Sequence, residues 1–227
     1  MKFIEKFFPI FILILALPIQ GCTTTYSAKK IEARVIDADT KQPLEGVNVV
    51  AQWTLEGGME GGVLTNLMLM ESVSDKDGRF YFPAWGPKSI PSDLPWNARL
   101  KNQDPGMVMF KSGYEVQGFS NEITGPYPGT GPSMRTSQWN SKTIELKRHQ
   151  GNLERYRLLL DGVLGGIFYG ECRWKNIPRM IVALDKESAR LRKLGVRISV
   201  ITISRIEDNS ARENCGSAQE FFKDYIE

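Results

Sequence analysis

A single histidine among 227 residues removes several classes of chemistry at the outset. To act as a catalytic base, His149 would need a nucleophile and an orienting partner. Its surroundings, Lys147-Arg148-His149-Gln150, identify neither and read as a solvated link. One histidine and few cysteines also leave no recognisable zinc ligand pattern. There is no Gly-x-Ser-x-Gly elbow, His-Glu-x-x-His helix or phosphate-cradling loop. A Ser-x-x-Lys spacing does occur at Ser27-Ala28-Lys29-Lys30, in a polar stretch where no pocket would desolvate the lysine. Asp75-Lys76-Asp77-Gly78 starts like a calcium loop, but the later glutamate is absent and the same residues are good turn formers. Asp37 and Asp39 read the same way. The expectation is a chain that is not an enzyme, with no catalytic residue, metal or cofactor.

Charge of one sign is also scarce. A formal net charge of +3 lacks the clustered excess that a nucleic-acid surface needs, so no nucleic-acid partner is expected. Long apolar runs are absent apart from residues 7–19, which Pro9 and Pro18 interrupt. That run is too short to span a bilayer, which takes about 20 residues. With Lys2 and Lys6 before it, residues 1–21 read as an export signal.

The signal ends in Ile19-Gln20-Gly21-Cys22, which resembles the bacterial lipobox. The resemblance implies cleavage before Cys22 and acyl chains such as palmitate on that cysteine. Two or three chains make a stable anchor where one is marginal, so the membrane itself is the first expected partner. Thr23 follows Cys22, where aspartate would imply retention at the inner membrane, so the outer membrane is the expected location. An ordinary secretory signal with a chance cysteine is the alternative. Removing residues 1–21 takes away Lys2, Lys6 and Glu5 and leaves 27 basic and 25 acidic side chains.

Of three cysteines, Cys172 and Cys215 remain after Cys22. An even pair in an exported chain predicts a disulfide, with two buried free thiols as the alternative. Closing that loop would stabilise by roughly 4 kcal/mol on the chain-entropy model.

After a polar tether over residues 22–30, the chain turns β-like. Residues 32–37 and 46–55 alternate, and Val47, Val49, Ala51 and Trp53 form one apolar face of the second stretch. Four glycines within residues 57–62 mark a loop, and residues 63–72 read as a further strand. Aromatic residues 79–83, apolar residues 107–110 and residues 142–146 complete the strands. Residues 86–95 and 125–132 are loops rich in turn formers. From residue 149 the period becomes helical. Leu153, Tyr156, Leu160, Val163, Leu164 and Ile167 predict a helix over 152–168, with Gly162, Gly165 and Gly166 allowing a close neighbour. A second helix over 177–194 has Pro178 at its start and Gly195 at its stop. Residues 196–203 alternate like a strand, and residues 217–226 suggest a last helix.

Three of these segments share a pattern. The first is Ala33-Arg34-Val35-Ile36-Asp37-Ala38-Asp39-Thr40-Lys41-Gln42-Pro43-Leu44-Glu45-Gly46-Val47-Asn48-Val49. The second is Ser74-Asp75-Lys76-Asp77-Gly78-Arg79-Phe80, and the third is Phe110-Lys111-Ser112-Gly113-Tyr114. In that order they resemble the carboxypeptidase regulatory-like family, which implies a transthyretin-like β-sandwich over residues 31–148. Residues 149–227, mostly helical, lie beyond it. The family module is generally a packing or binding accessory, so the resemblance implies no active-site residue.

The leading functional expectation is an envelope lipoprotein that acts as a non-enzymatic binding or scaffold module for an envelope protein or polymer. Trp85, Trp96 and Tyr127 fall in or near loops and could stack on such a partner, whereas Trp53 and Trp174 suit a core. The basic residues among 186–197 read as a solvated helix face. Two other readings stand beside it: a subunit of an envelope-spanning secretion machine, by analogy of fold, and an envelope hydrolase using carboxylates such as Asp161 or Glu171.

Overall fold

The computed structural model describes residues 24–121, 133–164, 172–210 and 214–226. The signal, Cys22, Thr23, the 125–132 loop with Tyr127, and Gly165, Gly166, Ile167 and Glu171 lie outside the described residues. The described chain is a β-sandwich followed by helices.

Strands β1 (Thr25–Ala28) and β2 (Ile31–Asp37) follow one another, then β3 (Asn48–Gly57) and β4 (Gly62–Val73) form a long hairpin. The remaining strands are β5 (Arg79–Phe82), β6 (Trp85–Ser89), β7 (Arg99–Leu100), β8 (Gly106–Phe110), β9 (Gln117–Phe119), β10 (Met134–Arg135) and β11 (Thr143–Leu146). They pair as β10-β1-β6, as β11-β2-β5 and as β4-β3-β8-β9, with β7 on the far end of β3. The turn before β5 depends on Gly78, at φ 75°, where a Cβ would lie 2.2 Å from the Val35 carbonyl oxygen. Asp75 closes this turn by accepting from the Asp77 and Arg79 N–H groups.

The interior of the sandwich follows the alternation of β3. Val47, Val49, Ala51, Trp53 and Leu55 point into it, and the Trp53 ring meets Trp85 edge to face at 5.3 Å. Asp37 is buried at the end of β2. The N–H of Thr40, the Tyr114 hydroxyl, the N–H of Asp39 and Arg148 hold its carboxyl well below the usual carboxylate range. The motif that begins at Ala33 is thus built around a turn fastened by one carboxylate.

The opposite face of the β4-β3-β8-β9 sheet is covered too. Val50, Leu69, Val108, Phe110 and Val116 share a second apolar interior with the helices. These are α1 (Leu153–Leu164), a short 3-10 helix (Arg173–Asn176), α2 (Pro178–Lys193), α3 (Ile203–Ser210) and α4 (Ala218–Ile226). The sheet supplies the cap of α2: both oxygens of Glu71 accept, from the Arg179 and Met180 N–H groups at 3.0 Å. Glu207 likewise accepts from the N–H groups of Ala218 and Gln219 at the start of α4. Among the described residues no helix is long and apolar enough to cross a membrane.

Three expectations about elements are corrected. Residues 25–28 are strand β1 and not tether, because Tyr26 and Ala28 are buried and the segment pairs with both β6 and β10. Residues 85–89, of which 86–89 were expected to be loop, pair with it as β6. Residues 196–202 form no strand: Ser199 N–H donates to Asp161, the chain packs Val200 against the helices, and α3 begins at Ile203.

Candidate functional site: the Asp104 cleft

The short connection between β7 and β8 ends in Asp104-Pro105-Gly106 and folds back over β3. It carries Asp104 beneath the sheet surface, where the residue is 3% exposed. One oxygen, Oδ2, accepts from the Thr54 N–H at 2.5 Å. The backbone carbonyl of Asp104 accepts from Asn121 Nδ2, which also reaches the Thr136 carbonyl. Asn121 Oδ1 in turn accepts from the Gln138 N–H, so segments distant in sequence lock this corner.

A cleft of about 430 Å³ opens above this corner. Gln52 and Thr54 of β3, Lys101 and Gln103, Gly106 of β8 and Ser120 after β9 surround it, with Val163 of α1 on the far wall. Gly106 leaves room beside Gln52, whose side chain lies 3.6 Å from where a Cβ would stand. The buried Oε1 of Gln52 and Nδ2 of Asn66 have no hydrogen-bond partner among the described residues. Thr54 Oγ1 donates to Asn66 Oδ1. Buried polar atoms without a partner are costly and call for an explanation.

Burial pushes the Asp104 carboxyl up to about 7, although the Thr54 N–H and the charges of Arg135 and Lys101 pull the other way. Arg135 is itself buried and donates to the Leu100 carbonyl. A carboxyl near neutrality, in a polar cleft, can both accept a hydrogen bond and donate one. A cleft with convergent polar groups and a perturbed acid is the usual signature of a binding or acid–base site.

The residues singled out in the sequence lie elsewhere. Cys172 and Cys215 are bonded and tie the start of the 3-10 helix to the segment before α4. His149 leans on the Tyr156 ring at 4.8 Å, and its Nε2 is 3.2 Å from the Asn152 carbonyl. Asp161 is held by Arg157 and the Ser199 N–H, a structural role. Trp85 and Trp174 are buried, and Trp96 is fully exposed. Among the described residues no three His, Cys, Asp or Glu side chains gather as a metal site would require. Asp104 carried no signal in the sequence, where Asp-Pro-Gly reads as a turn.

No protein-family model matches the chain. No curated protein matches it either. Several solved structures are similar. A 3-chlorocatechol 1,2-dioxygenase from Rhodococcus opacus 1CP matches at 14% identity and TM-score 0.35, over 59% of this chain and 64% of that one. A chlorocatechol 1,2-dioxygenase from Pseudomonas putida matches at 14% identity and TM-score 0.30, over 56% and 61%. The pilus 2b backbone protein of group B streptococcus matches at 14% identity and TM-score 0.26, over 54% and 42%. The matches span less than two thirds of each of those chains.

The expectation that the chain is not an enzyme is withdrawn. The Asp104 cleft removes its ground, which was that no acid–base group was in sight. At these TM-scores the likeness carries no argument for any activity, and nothing of the dioxygenases' chemistry is transferred.

Proposed function

We propose that the chain is an envelope lipoprotein, held to the outer membrane through Cys22, whose sandwich binds an envelope protein or polymer. A polar group of that partner enters the Asp104 cleft. The observation that carries this reading is the buried Asp104 carboxyl, which burial pushes up to about 7, set beside an unpartnered Gln52 oxygen in the lining of an open cleft. An incoming hydroxyl or amide would supply the hydrogen bond that Gln52 Oε1 lacks.

The anchor rests on Ile19-Gln20-Gly21-Cys22 and on the disulfide, which suits an exported chain. The carboxypeptidase regulatory-like resemblance of residues 31–148 supports a binding module.

Two measurements test the reading. Mass spectrometry of the N-terminal peptide from native cells should find acyl chains on Cys22, and an unmodified Cys22 would remove the anchor. A photo-crosslinker at Gln103, on the rim of the cleft, should capture one envelope component in intact cells. The same crosslinker at exposed Tyr81 of β5 should not. Equal capture at both positions would sink the cleft as the binding place.

A further inference from the structure

Among the exposed large apolar side chains, Met59 and Trp96 stand almost wholly in solvent, at 106% and 97% of full exposure. They are far apart in sequence but close in the fold. Met59 sits at the tip of the β3–β4 hairpin, next to Gly58. Trp96 precedes Asn97, and the Asn97 side chain exchanges two hydrogen bonds with the Gly58 backbone, at 3.0 and 3.1 Å. Val63, also exposed, begins the return strand of the same hairpin.

The same end of the sandwich receives the N-terminus. Thr25, the first residue of β1, pairs with Ser89, the last residue of β6. From Ser89 the chain needs only residues 90–98 to reach β7, which pairs with Leu55 and Glu56 at the end of β3. One connection therefore spans from the start of β1 to the hairpin tip, and Trp96 lies on it. Only Thr23 and Thr24 separate the lipidation residue, Cys22, from β1, so three residues lie between the lipid and the fold.

We propose that the end of the sandwich bearing Trp96 and Met59 rests in the headgroup layer of the bilayer that holds the lipid on Cys22. The inference depends on the lipoprotein reading above. Three residues between lipid and fold reach at most about 10 Å when extended, so this end cannot stand far from the membrane surface. Tryptophan favours that interface, with an apolar ring and a polar N–H. Methionine adds an adaptable apolar side chain beside it. Near the patch in sequence stand Glu60 and Asp93 as well as Lys88, charges of both signs, so the contact is apolar and not a charge attraction. With this end down, the anchor sets the orientation of the fold as well as its location.

The test uses the full lipidated protein, reconstituted into phosphatidylcholine vesicles whose acyl chains carry bromine, which quenches tryptophans that touch the bilayer. Trp53, Trp85 and Trp174 are buried and Trp139 packs half-buried against Phe119, so these four should stay unquenched. The expected result is loss of one tryptophan's share of the emission in the wild type, unchanged in 0.5 M salt. That loss should vanish in Trp96→Phe and shrink in Met59→Asp. Both positions are exposed, so both variants should fold. Acylated, vesicle-bound protein quenched equally with and without Trp96, or not at all, overturns the patch and leaves the anchor standing. A chain whose Cys22 carries no acyl group overturns the anchor, and the patch with it.

Discussion

Strand β3 separates two interiors that are built differently. On one side Val49, Ala51, Trp53 and Leu55 face other strands, and the walls of that interior are mainly sheet, completed by connections that carry Leu44, Leu94 and Trp139. On the other side Val50 joins Leu69, Val108 and Phe110 as a wall facing helices that have too little core of their own. The first interior is closed by ladders between distant strands. The second is closed by a borrowed sheet face, a carboxylate from β4 at the start of α2, and one disulfide. The sandwich should therefore outlast the helical layer when the two are stressed separately. The helices should not survive loss of the sheet.

Replacing both Cys172 and Cys215 with serine should cause the largest change. Constraint on the unfolded chain is lost, at about 4 kcal/mol for a loop of this length. Hydrogen exchange should rise first in α2 and α4 while β2 and β3 stay protected. Equal loss in the strands would break the comparison.

Asp104→Asn comes next and acts through pH. With the carboxyl raised to about 7 from 3.8, the folded chain keeps a proton that the unfolded chain releases between those values. The wild type therefore holds this contribution fully below pH 3.8 and loses it as pH rises through 7. The asparagine variant, neutral throughout and still able to accept from Thr54, should match wild type near pH 4. It should be more stable at pH 8 by on the order of 3 kcal/mol. Denaturant midpoints at the two pH values decide it, and parallel profiles would mean that Asp104 does not titrate there.

Val49→Ala and Val50→Ala remove the same two methyl groups from opposite faces of one strand, at about 2 kcal/mol each. The first should loosen the whole molecule, and the second chiefly α1 and α2. Smallest is Glu71→Ala, at about 1 kcal/mol for a lost helix cap. It should raise exchange at the Arg179 and Met180 amides and leave β3 and β8 unchanged.

Much of the strand layout was legible because each strand of the hairpin and of the Asp37 turn carries local signals. Residues 31–37, 79–82 and 143–146 alternate beside strong turns, and the β3 pattern named its inward face correctly. The helices over Pro178–Lys193 and Ala218–Ile226 were legible from period and stop residues. Failures came where burial is decided by remote partners. β1 is polar in composition and becomes a strand only because β6 and β10 flank it. Residues 196–202 alternate because helices bury every second side chain, which a loop can satisfy as well as a strand. The Asp104 cleft was invisible for the same reason. Its Asp104 corner is locked by Asn121 and Thr136 and faced by Arg135, and no local pattern announces that they will meet an aspartate in a turn.

Strand β1 has a mechanical consequence. Any load on the chain ahead of Thr24 enters the fold through a four-residue strand, antiparallel to β6 and, at Ser27 and Ala28, also parallel to β10. A pull along the axis of that strand strains its bonds together and cannot open them one by one. The attachment should resist sudden tension far better than its length suggests, and yield more readily to a sideways pull that peels β1 from β6.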